Sequence, residues 1–392
     1  MPHNAGLAGD APSPGVYRVN GQRSLAEKNL KRIGFVDTVR GLLILYIVVV
    51  IHGLFWLNLL PQAISSWLLF AMPAIFVVSG YSHALYERAR ADRGVDKLSA
   101  RNYVGYLLDR WTRILVPYFV YAVCCMIFIT LLTAIGESPD YPAGDALLAW
   151  IDPFRFGRNY TVAMLNWHLW FIPVFLIVSA VLPITIRFKP LKNPNIWILL
   201  IAAASAEFLL AQVHFPNEQL IKEVVFYLLM ALLGYYLAWA RDYFARLNVG
   251  AVAGLSLVAL AVLIGVSGDS RALNMQVNEF PPNHLYFLFS CFWLALFLIV
   301  AARLSSWSRF FDWLANSGWL KPFVRHGYSI YIWQGMGYTI AIIIEKKLGL
   351  PLLVIWLLAI GLTVGMGLIA SPAEKIRLRL LARHAVASPV HR

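Results

Sequence analysis

Charge is scarce in this chain and cysteine is nearly absent. Of its 392 residues only 14% are Asp, Glu, Lys or Arg, against 60% hydrophobic. A soluble globular protein carries about a quarter charged residues, so an aqueous fold would leave more apolar surface than it could hide. The three cysteines are the adjacent Cys124 and Cys125 and the distant Cys291, all in apolar stretches. That pattern supplies neither a disulfide framework nor a metal-ligand spacing, and the three read as small apolar side chains. The first 30 residues are polar and lack the apolar core of a signal peptide, and no internal repeat is evident. Acidic residues are the rarer sign, 20 against 33 basic, for a net charge of +13. The basic residues fall between hydrophobic stretches rather than along one face, which argues against nucleic acid as a partner.

What is present is a series of apolar runs long enough to cross ~30 Å of hydrocarbon. They fall at 35–57, 62–85, 113–135, 167–187, 197–212, 220–239, 249–266, 285–302, 323–345 and 350–370. The expected fold is therefore all-α, a polytopic membrane helix bundle of about ten transmembrane helices. Lys and Arg alternate between heavy and light loops through these crossings, which places both termini in the cytoplasm. The expected layout is a polar cytoplasmic tail at 1–34, a membrane domain at 35–372 and a basic cytoplasmic tail at 373–392. The setting this suggests is a bacterial inner membrane. Two outward loops, Gly136–Asn166 and Gly268–Asn283, the second containing NEFPPNH, are solvated connections or else a lid or acceptor-binding rim over the outer face.

Ionisable groups inside an apolar crossing are expensive, so function is sought there. The first run, VDTVRGLLILYIVVVIHG, holds Asp37, Arg40 and His52. Asp37 and Arg40 share a helix face and could pair with each other or with an anion. His52 stands twelve residues beyond Arg40, a rise of ~18 Å, near the outer end. His168, His284, Glu207 and Gln334 are expected at the same depth. Their scattered positions have no metal spacing, and no metal is expected. A supported histidine is instead suited to removing a hydroxyl proton. Ser79 and Gly80 permit close helix packing; without a carboxylate to complete a triad with His83, Ser79 is not expected to be a nucleophile. His83 reads as ligand-orienting or structural. Arg110 and Arg113, with Arg88, Arg90 and Arg101, form an inner basic mouth that either anchors the protein or docks phosphates.

Taken in order, FVDTVRGLLILYIVVVIHG at Phe35–Gly53, MPAIFVVSGY at Met72–Tyr81, RWTRILVPYFV at Arg110–Val120, HLWFIPVF at His168–Phe175, LLGYYLA at Leu232–Ala238 and YSIYIWQ at Tyr328–Gln334 resemble acyltransferase family 3. These are polytopic membrane acyltransferases that modify carbohydrates and related hydroxyl compounds. The resemblance implies that Arg40 and His52 are the family's essential Arg and His. It also implies an acyl-coenzyme A donor arriving from the cytoplasm, acetyl-coenzyme A being one candidate, and a carbohydrate, glycolipid or other hydroxyl acceptor on the far side. No resident cofactor is implied, and a homo-oligomer is compatible. Two departures stand out. Eleven residues separate Arg40 from His52 where the family usually has ten. The extra residue would rotate His52 by ~100°, so either a π-bulge restores its face or the constellation differs. The family's ninth helix commonly ends its motif in histidine, where this chain has Gln334.

The mechanism these residues suggest makes His52 the base, oriented by Glu207 or His168, with Gln334 as an oxyanion donor. Arg40, His83, Arg110 and Arg113 would serve the donor. The rival reading is a secondary transporter of an amphipathic or lipid-linked anion, which would use the same buried ionisable groups.

Overall fold

A computed structural model describes residues 35–91, 100–136, 150–154, 164–187, 196–214, 218–239, 249–304 and 308–374. The expected tail at 1–34, all but residues 373–374 of the tail at 373–392, and most of the loop at 137–163 lie outside these residues, among them Asp140, Asp145, Arg155 and Arg158. The chain is an all-α, polytopic membrane helix bundle. Its helices are α1 (Phe35–Trp56), α2 (Ala71–Ala91), α3 (Ala100–Ala134), α4 (Phe171–Thr185), α5 (Ile196–Ala211) and α6 (Glu218–Trp239). There follow α7 (Val249–Ser267), the short α8 (Met275–Glu279), α9 (His284–Leu304), α10 (Ser308–Asn316), α11 (Lys321–Leu348) and α12 (Leu352–Ala370).

Seven helices among the described residues, rather than ten, are long and apolar enough to cross a membrane. The three runs that drop out do so for different reasons. α5 has 16 residues, about 24 Å at the helical rise against ~30 Å of hydrocarbon. The apolar part of α9 is the short stretch His284–Val300. α11, with 28 residues, has the length, but Ser329, Gln334, Thr339, three glycines and several tyrosines dilute its apolar character.

Two apolar cores meet along α4. One joins α2, α6 and α9 through Phe76, Phe226, Met230, Tyr286 and Phe289; the other joins α1, α3 and α11 through Val48, Tyr118, Tyr121, Ile330 and Ile332. Away from them, Val123, Ile127 and Leu131 form an exposed row on α3, the four-residue spacing that gives a helix one lipid-facing stripe. α2 and α6 pack at backbone contact. A Cβ at Gly80 would strike the Ala231 carbonyl and one at Gly234 the Val77 carbonyl, which is the small-residue packing expected at Gly80.

The extra residue of α1 is absorbed in a π-helical turn at Ile47–Ile51, immediately before His52. A π turn takes one residue more than an α turn, so His52 returns to the orientation that a ten-residue spacing would have given it. Widening a helix in this way frees carbonyls in an apolar layer. Here Tyr338 on α11 donates to Val48 O at 2.7 Å and Trp356 on α12 donates to Val49 O at 3.0 Å. Gly53 leaves the room for Trp356, whose ring fills the place of a Cβ.

The segment Gly268–Asn283 is a folded plug, not a solvated loop. Asp269 accepts from Arg271 N–H and Asn274 accepts from Gln276 N–H, capping a 3₁₀ turn and α8. The plug is stitched to the residues after α1: Met275 N–H donates to Ser66 Oγ at 3.1 Å and Trp67 Nε1 donates to Leu273 O at 3.0 Å. Asn283 then starts α9 by accepting from Leu285 and Tyr286 N–H.

Candidate active site

His52 is buried at the end of the π turn, with its ring stacked on Trp56 at 4.1 Å between centroids. The i,i+4 spacing of these two residues puts one ring above the other. On the opposite edge His52 Nδ1 lies 2.7 Å from Gln334 Oε1. An amide oxygen only accepts, so Nδ1 carries the proton and Nε2 keeps the lone pair of a base. α11 brings Gln334 to this place.

His168 stands edge-on to His52 at 6.4 Å between ring centroids. Its Nε2 donates to Ile332 O at 2.9 Å, and Tyr331 donates to the His168 carbonyl at 2.8 Å. His168 therefore builds the wall beside the imidazole without bonding to it. The close approach depends on Gly335, where a Cβ would come within 2.6 Å of His168 Cε1 and 2.7 Å of both Met164 O and Tyr121 Oη.

A cavity of about 50 Å³ opens beside His52, lined also by Phe55, Trp167, Trp170, Glu279 and Tyr331. It adjoins a wider cleft of about 370 Å³ that shares Phe55, Trp167 and Gln276 with it and reaches Asn58 and Gln62. The smaller space admits a few atoms at a time, and the cleft has the size of a small-ligand site. Together they give His52 a path to the bundle's end.

The remaining expected site residues fall elsewhere. Arg40 is 48% exposed and pairs with Asp37 at 2.9 Å, as their spacing suggested. His83 and Arg110 come together toward that same end of the bundle. Arg110 Nη2 donates to Ser79 Oγ at 3.0 Å, and its guanidinium lies 5.7 Å over Phe175. His83 is buried between Tyr106, at 5.2 Å, and Glu87, whose carboxylate also accepts from Tyr235 at 2.7 Å. Arg113 is exposed, so two arginines of the expected basic mouth divide between an inward and an outward side chain of α3. Glu207 is fully buried on α5, with the charge of Lys222 nearby and no hydrogen-bond partner among the described residues. It does not line the cavity beside His52. His284 packs against Phe208 at 5.4 Å, also away from the cavity.

Glu279 was not singled out from the sequence. It ends α8, is 3% exposed, and lines the cavity beside His52. Burial pushes its carboxyl up to about 8. The run NEFPPNH marked the segment as unusual, but only a folded plug turns its glutamate inward.

No curated protein and no solved structure matches the chain. A family model described as an acyltransferase domain matches residues 33–371, a span that holds α1 to α12 with the histidine, the cavity and the basic cluster, and the chain belongs to that family, acyltransferase family 3.

Proposed function

We propose that the protein transfers an acyl group, acetyl being the simplest, from acyl-coenzyme A to a hydroxyl of a carbohydrate, glycolipid or secreted metabolite. The observation that carries this reading is the 2.7 Å contact between His52 Nδ1 and Gln334 Oε1, which leaves Nε2 as a base beside a cavity. As the hydroxyl oxygen bonds to the acyl carbon, its proton moves to His52 Nε2. The carbon–sulfur bond breaks, and the proton passes on to the departing thiolate. Gln334 stands behind the ring and not in the cavity wall, so its part is to hold the tautomer. That role was expected of Glu207 or His168. Membership of an acyltransferase family favours this chemistry over transport.

The donor would enter from the Arg40 end. Arg40 with Arg110 offers cations to the coenzyme's phosphates, and His83 shapes the same region. Its thioester would then reach across the ~18 Å rise of α1 to His52. The alternation of Lys and Arg between loops supports a cytoplasmic Arg40 end, cytoplasmic tails at 1–34 and 373–392, and a bacterial inner membrane.

His52→Ala tests the reading. In proteoliposomes given labelled acetyl-coenzyme A and glycan-bearing membranes, ester formation should fall by roughly 10²–10⁴-fold at unchanged protein abundance. Unchanged turnover would remove His52 as the base.

A further inference from the structure

Besides aromatic rings and aliphatic side chains, the cavity presents His52, Tyr331, Gln276 and Glu279. Two of these are already engaged. Tyr331 spends its proton on the His168 carbonyl, and Gln276 Oε1 accepts from Gln62 Nε2. Gln276 keeps its amide N–H, but the groups placed to exchange a proton are a base on α1 and a carboxyl group on α8, contributed by different elements and lining one small space. We propose that Glu279 is the acceptor-binding residue of this site, gripping a hydroxyl next to the one that His52 deprotonates and so selecting which hydroxyl is acylated. The proposal rests on the acyl-transfer reading above.

The surroundings suit a neutral carboxylic acid. Facing Glu279 are Tyr227 and Glu223 from α6, Tyr286 from α9, Tyr331 from α11 and His52 across the cavity. The charge it feels most among these is the like-signed Glu223, which favours the protonated form. Tyr286 donates its own proton to Leu69 O at 2.8 Å, so towards Glu279 it accepts, and a protonated carboxyl supplies that donor. Tyr227 reaches Glu279 Oε1 only at 3.4 Å, leaving lone pairs for a ligand hydroxyl. A buried acid held neutral near pH 7 can both donate and accept, the two functions needed to hold an alcohol.

Position is fixed as firmly as chemistry. Asn278, next to Glu279, donates to Ala272 O at 3.2 Å and Asn274 O at 3.0 Å, and it accepts from Asn283 Nδ2 at 2.8 Å. Together with the Met275–Ser66 bond, these contacts hold α8 against the residues that follow α1. Glu279 and His52 therefore line one cavity from two elements that are both held in place. A group placed this way discriminates between hydroxyls of one molecule by geometry, because an acceptor seated wrongly leaves a buried polar group unmatched.

The test uses native membranes carrying the wild-type chain or a variant at equal abundance, supplied with ¹⁴C-acetyl-coenzyme A. Label is followed into ester and into free acetate formed by attack of water. His52→Ala should lower both products. Glu279→Ala should lower the ester-to-acetate ratio by roughly tenfold, a partition that general damage to the fold would not change. Glu279→Gln, still a donor and acceptor, should hold the ratio near wild type at pH 7. It should also hold its ester yield to pH 9, whereas wild type loses yield above about pH 8 as Glu279 ionises; this second measurement needs no detectable acetate. Equal loss of both products in Glu279→Ala, or a Glu279→Gln yield that follows the wild-type pH curve, overturns the proposal. Products unaffected by His52→Ala remove His52 as the base instead, and an absence of labelled ester from the wild-type chain overturns the acyl-transfer reading.

Discussion

At the Arg40 end of α1 the charged side chain stands half in the open and its partner is a neighbour on the same helix, Asp37. At the other end His52 is buried, stacked on Trp56, hydrogen-bonded to Gln334 from α11 and placed by a π turn whose freed carbonyls are met from α11 and α12. One end is held by local charge, the other by contacts between helices distant in sequence. The difference fits two tasks. Polyanion capture needs accessible positive charge, whereas proton transfer needs a base fixed within tenths of an ångström.

The His52–Gln334 contact is where the contrast is most easily broken. Gln334→Ala frees the imidazole to rotate and to exchange tautomers, and acyl transfer should fall roughly tenfold to a hundredfold, the usual loss when a histidine's orienting partner is removed. Gln334→Glu keeps an acceptor oxygen and should retain more activity than alanine. Turnover under saturating donor is the measurement. Equal activity in both variants and wild type would mean that position is fixed by Trp56 stacking alone.

A smaller effect, on stability more than on rate, is expected from the π turn. Tyr338→Phe leaves Val48 O without its donor in an apolar layer, which should destabilise the bundle by about 1–3 kcal/mol. Thermal unfolding in detergent would show it as a lowered Tm. Activity at low temperature should fall less, since Trp356 still holds Val49 O. A Tm equal to that of wild type would show that the carbonyl finds another donor and that the π turn is less dependent on its neighbours than the contacts imply.

Much of this end was legible in the sequence because its signals are local. The apolar runs announced the membrane bundle, and one surplus residue between Arg40 and His52 offered a π turn as one of two alternatives, the one found at Ile47–Ile51. What stayed hidden depended on contacts across the bundle. Gln334 could be noticed as a departure from histidine, but its partner lies 282 residues away and no spacing rule joins them. Glu207 and His284 have the polarity and depth of site residues, yet helix rotation turns Glu207 toward Lys222 and His284 toward Phe208. Glu279 was concealed by its place in an apparent loop, which polar caps at Asp269, Asn274 and Asn283 fold into a plug. The count of ten crossings erred where length and apolar content part company, in α5, α9 and α11.

The smallest structural effect is expected at Arg40, and its smallness sharpens the contrast. An exposed i,i+3 ion pair contributes about 0–1 kcal/mol, so Arg40→Ala should leave the Tm within a degree or two of wild type. Any loss of activity then reports on donor handling, not on folding. If Arg40 meets the coenzyme's phosphates, the loss should appear as a raised KM for acyl-coenzyme A that grows with ionic strength, because an exposed cation attracts a polyanion through a screened field. Arg40→Lys should recover part of it, keeping the charge but not the guanidinium fork. Asp37→Asn separates pairing from capture: releasing Arg40 from its carboxylate should lower that KM if the arginine serves the donor and leave it unchanged if the pair only anchors the helix end. An Arg40→Ala protein with normal donor KM but poor acceptor use would place Arg40 on the acceptor's path and undo the division of labour between the two ends of α1.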